Sequence, residues 1–367
     1  MRDYTLTAIG TIILSLMGIS SSLACTDFRL TAQDGTVLIT RTMEHSDLHS
    51  NLRSSTRGRI FQTTAPDGKP GLTWKATYGY VFMDGLNVDA SLDGMNEAGL
   101  SFEALYLPDY AQYQEVPSGH DDEALPYLYI GDWILSNFKT VDEVKEALNH
   151  IFLYGNKIPG MGDMIYPLHY AVYDASGKGL VIEYVNGKLN LHDNAIGVLT
   201  NSPPYDWHLT NLKNYIHLRP VNPTPVQASG ITFAAAGVGY GMVGLPGDIS
   251  PPSRFVKMAV LKDVALPAKN SDEVLTLAQH IINNVDIPLG LVRIPENNTF
   301  TTETTEWTVF KDLTHKVLYY RSYEDFTIHA VNLSQVDFSE KAQRLKMPMA
   351  SKAHIEDVTN QFLKSIP

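Results

Sequence analysis

The 367-residue chain contains a single cysteine, which rules out an internal disulfide framework and every zinc or iron–sulfur site built from several thiolates. Positive charge is scarce too: 28 Lys and Arg stand against 40 Asp and Glu, a formal charge of −12. Such a balance repels phosphate backbones and anionic lipid heads, so nucleic-acid partners are excluded. None of the 12 histidines falls in a His-Glu-x-x-His pair, and there is no Gly-x-Ser-x-Gly elbow, which removes zinc peptidases and α/β-hydrolases. Internal repeats, low-complexity tracts and linkers are missing as well. With 44% hydrophobic residues, the chain can bury a sizeable core, and residues 25–367 are expected to form one domain.

Two motif matches fail on context. Gly239-Tyr-Gly241-Met-Val-Gly244 has the dinucleotide spacing, but Pro246, Pro251 and Pro252 follow where that motif needs an opening helix, so it reads as a loop. Asp89-Ala-Ser91-Leu-Asp93-Gly94 imitates the start of a calcium loop, yet Leu100 stands where the bidentate Glu belongs. Asn297-Asn-Thr299 and Asn332-Leu-Ser334 match glycosylation acceptors, a pattern common by chance.

The first 24 residues read as a secretory signal peptide. Arg2 gives a charged start, Leu6 to Leu23 is free of charge with an apolar centre, and Ser22 and Ala24 are the small residues that precede a cut. Cleavage after Ala24 makes the only cysteine, Cys25, residue one of an exported chain, periplasmic or secreted. Three readings of Cys25 remain open at this point. It is a buried small hydrophobe, or a lipidated anchor residue, or an N-terminal nucleophile whose freed amine serves as base for the adjacent thiol.

Cys25 to Leu30 and Val37 to Arg41 are short β-like runs joined by Gln33-Asp34-Gly35, a hairpin at the start of the proposed mature chain. Leu100 to Leu107 is a further strand. His169 to Asp174, Leu180 to Tyr184 and Lys188 to His192 form a meander through Ser176-Gly177 and Asn186-Gly187 turns. Thr140-Val-Asp-Glu143 is a capping box opening a helix over Val141 to His150, and Ser271 precedes a second patterned helix. Trp307 to Asp312 and Lys316 to Arg321 read as another hairpin, followed by Thr327 to Val331. Strands and helices come in blocks without βαβ alternation, which points to an α+β layered fold.

The stretch Cys25-Thr-Asp-Phe-Arg, with Thr40-Arg41-Thr-Met-Glu44, resembles the start of the choloylglycine hydrolase and penicillin V acylase family of N-terminal nucleophile hydrolases, and the signal peptide and Leu72-Thr-Trp74-Lys-Ala-Thr-Tyr-Gly79 are similar to its Gram-negative members. Asp93-Gly-Met-Asn-Glu-Ala-Gly-Leu100 with Ala104-Leu-Tyr106, Asn194 to Pro203 with Asp206-Trp207, Gly244 to Phe255, and Glu306 to Asp312 with Tyr319 to Tyr323 match later blocks in the family's order. The resemblance implies a four-layer αββα sandwich of two antiparallel sheets between helix layers. It makes Cys25 the nucleophile and its α-amine the base. Arg41 then holds the thiolate, and Glu44, where much of the family has Asp, binds the amine. Asn201 and the backbone N–H of Tyr106 receive the oxyanion, and Arg254 steadies the nucleophile or substrate. Met43, Leu48, Tyr106 and Tyr166 are implied to line the substrate pocket.

The implied reaction is hydrolysis, through a thioester, of a linear amide with a bulky apolar acyl group: a conjugated bile salt, penicillin V or an N-acyl homoserine lactone. Tyr106 inclines the reading towards the acylase side, since family members preferring penicillin V often carry Tyr there. The partner is thus a small-molecule amide, with no metal, no cofactor and no stable membrane insertion after signal removal. A homo-oligomer, tetramer or dimer, is implied by the resemblance. The alternative is a non-catalytic envelope binding protein, lipid-anchored through Cys25 or soluble.

Overall fold

A computed structural model describes residues 24–157, 164–296, 298–349 and 352–365. The signal-peptide reading of residues 1–24 thus falls almost wholly outside the described residues, as does Asn297.

Two large antiparallel sheets lie face to face. The first runs in the order Val198–Leu199, Cys25–Thr31, Val37–His45, Thr299–Asp312, Val317–Ser322 and His329–Asn332, with Val292–Glu296 also paired to Thr299–Asp312. The second runs Lys188–Asp193, Gly179–Val185, Leu168–Asp174, Leu100–Tyr106, Asp93–Asn96, Tyr80–Met83, Asn51–Ser55 and Lys346–Pro348. Helices Pro251–Val264 and Ser271–Ile282 cover the outer face of the first sheet, and Ile130–Asn137 and Val141–Ala147 cover that of the second. This is the four-layer αββα sandwich the resemblance implies. Among the described residues no helix is long and apolar enough to cross a membrane.

Side-chain alternation sorts the core into two clusters. On the second sheet Val81, Met83, Met95, Leu105 and Tyr173 point inward to meet Ile39 and Val309 of the first. Their neighbours Tyr80, Phe82, Phe102, Tyr170 and Val172 point outward to Ile134, Leu135 and Val144 of the covering helices. Strands such as Leu100–Tyr106 are buried at every position because both faces are covered.

The sequence-based elements appear with shifted ends. The first hairpin spans Cys25–Thr31 and Val37–His45, and the meander is present in full. The capping box at Thr140 forms as expected, but its α-helix stops at Ala147 and the last turn, Leu148–His150, tightens to 3-10 geometry. Asn270, not Ser271, caps the later helix, accepting from the Glu273 N–H. The glycine-rich Gly239–Gly244 stretch is a loop with a single 3-10 turn at Tyr240–Met242. It follows an exposed hairpin, Val226–Ala228 with Ile231–Phe233.

Helix Ile130–Asn137 meets the sheet closely at one glycine. A Cβ at Gly131 would lie 2.5 Å from the Phe102 ring and 2.7 Å from the Ser91 carbonyl. Alanine gains up to about 1 kcal/mol in helix propensity over glycine, but overpacking here costs about 1–3 kcal/mol. Gly131→Ala is therefore expected to lower the melting temperature, and a rise would show that the layers tolerate wider spacing.

Candidate active site

The hairpin register builds the site. Cys25 pairs with Met43 and Asp27 with Arg41, while Trp307 and Val309 of the neighbouring strand pair with Met43 and Arg41. Directly opposed residues share a face, so Cys25, Asp27, Arg41 and Met43 all project between the two sheets. Thr26 and Glu44, on the alternate positions, face the helix layer.

Cys25 is 2% exposed, and it lines a largely apolar cavity. Met43, Leu48, Leu86, Leu92, Tyr106 and Tyr166 line that cavity, so the four residues assigned to a substrate pocket come together. Arg41 Nη2 lies 3.4 Å from the sulfur, while Nη1 forms a 3.0 Å ion pair with Asp93. Burial pushes the Cys25 thiol up, and Arg41 opposes that only in part.

Asn201 stands on the other side of Cys25. Its Oδ1 accepts from the Cys25 N–H at 2.8 Å and from Arg254 Nη2 at 2.7 Å, while its Nδ2 donates to the Tyr106 carbonyl at 2.7 Å. The second amide hydrogen of Asn201 is not used by any of these bonds. Arg254, at the start of helix Pro251–Val264, also donates to the Cys25 carbonyl and, at 2.6 Å, to Thr26 Oγ1. It grips the peptide around the cysteine and does not touch the sulfur. The Leu107 N–H bonds the Pro167 carbonyl across the strand pair. Antiparallel alternation then turns the Tyr106 N–H to the opposite edge, where Asn201 meets the Tyr106 carbonyl.

A family model described as linear amide C–N hydrolases, choloylglycine hydrolase family, matches residues 25–346. The chain belongs to this family. The bile salt hydrolase/transferase of Clostridium perfringens is 34% identical over 325 residues, 85% of this chain and 93% of the relative. A solved mutant of the conjugated bile acid hydrolase from Clostridium perfringens superposes with a TM-score of 0.80 at 31% identity, covering 91% of this chain and 100% of that one. The penicillin V acylase structure from Agrobacterium tumefaciens, at 24% identity, shares the fold with a TM-score of 0.71 over 89% of this chain and 92% of that one. As a choloylglycine hydrolase family member, the chain is a hydrolase of linear carbon–nitrogen amides.

Beneath Cys25 of this family member lies a charged cluster that reading the sequence missed. Lys311 Nζ bonds both Asp93 and Glu103, all three being fully buried, and Tyr173 donates to Asp27. Asp27, Asp93 and Glu103 thus share two fixed cations, Arg41 and Lys311. Burial pushes Asp27 and Glu103 upward against the pull of Tyr173 and Lys311. Polar residues at the inward positions of otherwise apolar strands, Asp27 and Lys311, were the available signal.

Glu44 and Glu303 form a second acidic pair on the helix side. Glu44 Oε1 accepts from Thr305 Oγ1 at 3.0 Å, and both Glu44 and Glu303 keep one buried oxygen without a hydrogen-bond partner among the described residues. Burial pushes Glu44 up to about 7, with Arg254 opposing, and burial plus the charge of Glu44 pushes Glu303 up to about 8. Both values exceed the ordinary 4.5 of a glutamate. The native state therefore holds protons that the unfolded chain has lost, and this stability, full below about pH 4.5, is lost as pH rises through about 8. The melting temperature should fall between about pH 5 and 8.5, and Glu303→Gln should flatten the fall. An unchanged slope in that variant would show that Glu303 does not titrate in this window.

Proposed function

We propose that removal of residues 1–24 during export frees the Cys25 amine, and that Cys25 then acts as an N-terminal nucleophile on amides with bulky, apolar acyl groups. The observation that carries this reading is the position of Cys25. Its thiol sits against a cavity walled almost wholly by carbon, with Arg41 3.4 Å from sulfur and Asn201 2.8 Å from its nitrogen. The family match also begins at Cys25.

A free α-amine titrates near 8 and an ordinary thiol near 8.5, so the amine can take the thiol proton at neutral pH without a histidine. Sulfur attacks the amide carbon, and the remaining Asn201 N–H and the Tyr106 N–H receive the oxyanion. The amine then returns its proton to the leaving nitrogen as the C–N bond breaks. Water, deprotonated by the same amine, hydrolyses the thioester. Arg41 holds the developing thiolate, and Glu44, with an unpartnered buried oxygen among the described residues, holds the ammonium. Arg254 fixes the Cys25 peptide and Asn201 in place.

The cavity offers a hydroxyl-bearing sterol few polar partners, because apart from His45 and the hydroxyl tips of Tyr106, Tyr127 and Tyr166 its lining is apolar. Penicillin V or a long-chain N-acyl homoserine lactone should therefore be hydrolysed faster than glycocholate or taurocholate, even though relatives at 34% identity are bile salt hydrolases. On the best of these substrates Asn201→Ala should lower kcat about 100-fold or more with little change in KM, because the donor acts on charge present mainly in the transition state. A folded Asn201→Ala variant that turns over normally would remove Asn201 from the oxyanion site.

A further inference from the structure

Two histidines outside the site just described grip consecutive carbonyls of the turn that carries Asn201. His169 Nε2 lies 3.0 Å from the Thr200 carbonyl, and His208 Nε2 lies 2.9 Å from the Asn201 carbonyl. Both rings are fully buried. They belong to different layers, since His169 is in strand Leu168–Asp174 and His208 is in helix Tyr205–Leu212.

The partners of each ring fix its protonation. A carbonyl oxygen only accepts, so each Nε2 must carry a hydrogen. His169 Nδ1 faces Glu183 Oε1 at 3.0 Å, and that oxygen also receives the Tyr205 N–H at 3.0 Å. Glu183 is held well below the usual range, down to about 2, as hydrogen bonds from His169 and His192 outweigh its burial. It too only accepts, and both nitrogens of His169 therefore donate. His208 is the opposite case: burial lowers it to about 4 and its Nδ1 has no partner among the described residues, so it is neutral. It stacks on Phe255 with centroids 4.5 Å apart. The other charged or titratable groups facing His169 are few. His192 approaches Glu183 Oε2 at 3.6 Å, and His208 faces it from the helix with Arg254 beyond.

We propose that His169 is a positioning residue for amide hydrolysis, kept as an imidazolium by Glu183 so that it holds the Thr200 carbonyl and, through it, the Asn201 side chain. This rests on Asn201 being an oxyanion donor. The ion pair is inaccessible to solvent and touches neither the cavity nor Cys25. Its effect on the reaction is transmitted through one peptide unit, between a carbonyl held by a cation and the next held by a neutral ring.

The state of the ring is tested first in the unmodified protein. Nitrogen-15 spectra near neutral pH should show one buried histidine with both ring nitrogens protonated, hydrogen-bonded and coupled to Glu183. A neutral His169 would overturn the proposal whatever Asn201 does. The consequence is tested with Glu183→Gln, which still accepts from the Tyr205 N–H but removes the charge that keeps the ring protonated. A neutral ring donating from Nδ1 to the introduced amide oxygen then turns a lone pair on Nε2 towards the Thr200 carbonyl. At neutral pH kcat of Glu183→Gln should be about tenfold lower than wild type with KM unchanged, and nitrogen-15 spectra of the variant should show the same ring neutral. Unchanged kcat with a neutral ring would contradict a positioning role, and a ring still protonated in the variant would show that Glu183 does not keep it so. Normal turnover by Asn201→Ala would instead remove the oxyanion reading and leave the imidazolium signature standing.

Discussion

The side-chain amide of Asn201 ties together parts of the chain that are far apart in sequence. Its oxygen takes the Cys25 N–H of the first sheet and the Arg254 guanidinium of the covering helix, and its nitrogen gives to the Tyr106 carbonyl of the second sheet. No other orientation of the amide works, because a flipped group would turn its own N–H groups towards two donors and its oxygen towards a carbonyl. The two sheets are thus fixed to one another at the end where the cysteine begins its strand. The separation of Cys25, the Tyr106 backbone and the apolar cavity follows from this junction.

Around the junction the protein accepts costly electrostatics. Arg41, Lys311, Asp27, Asp93 and Glu103 are all buried between the sheets, where charges survive only when paired and hydrogen-bonded. The network holds the Arg41 guanidinium from the Asp93 side while leaving Nη2 directed at sulfur. On the helix side, Glu44 and Glu303 keep oxygens unpartnered among the described residues, close to the start of the strand, a place suited to a new positive charge. The proposed cleavage before Cys25 supplies one as a freed α-ammonium. In the uncut chain that nitrogen is a peptide N–H, and the Ala24 carbonyl continues the hairpin by accepting from the Glu44 N–H.

Much of the fold was legible because the hairpins and the meander alternate and are joined by Asp-Gly, Ser-Gly and Asn-Gly turns. Among the strands missed in the sequence, Asn51–Ser55, Tyr80–Met83 and Asp93–Asn96 are short and buried on both faces, so they lack the alternation that marks a half-exposed strand; the alternating hairpin Ile60–Thr64 with Pro70–Lys75 was missed as well. Helix Ile130–Asn137 was missed for a related reason, being buried over most of its circumference with Gly131 near its start. Of the site, the six polar and aromatic groups assigned from the family resemblance converge around Cys25. Arg254, expected to steady the nucleophile or the substrate, grips the Cys25 peptide and Asn201. His169 and Glu183 were invisible because each sits on a strand where a polar residue reads as the solvent face. Only the packing of a second layer shows that those faces are buried.

The central claim is that the α-amine of Cys25, once free, is the base for its own thiol. Its most direct test compares the chain beginning at Cys25 with one that retains a single extra residue before it, both confirmed by intact mass and by equal melting temperature. The account predicts turnover and a thioester mass only for the first form, because an acylated nitrogen has no basic lone pair. Undiminished turnover by the extended form would contradict it.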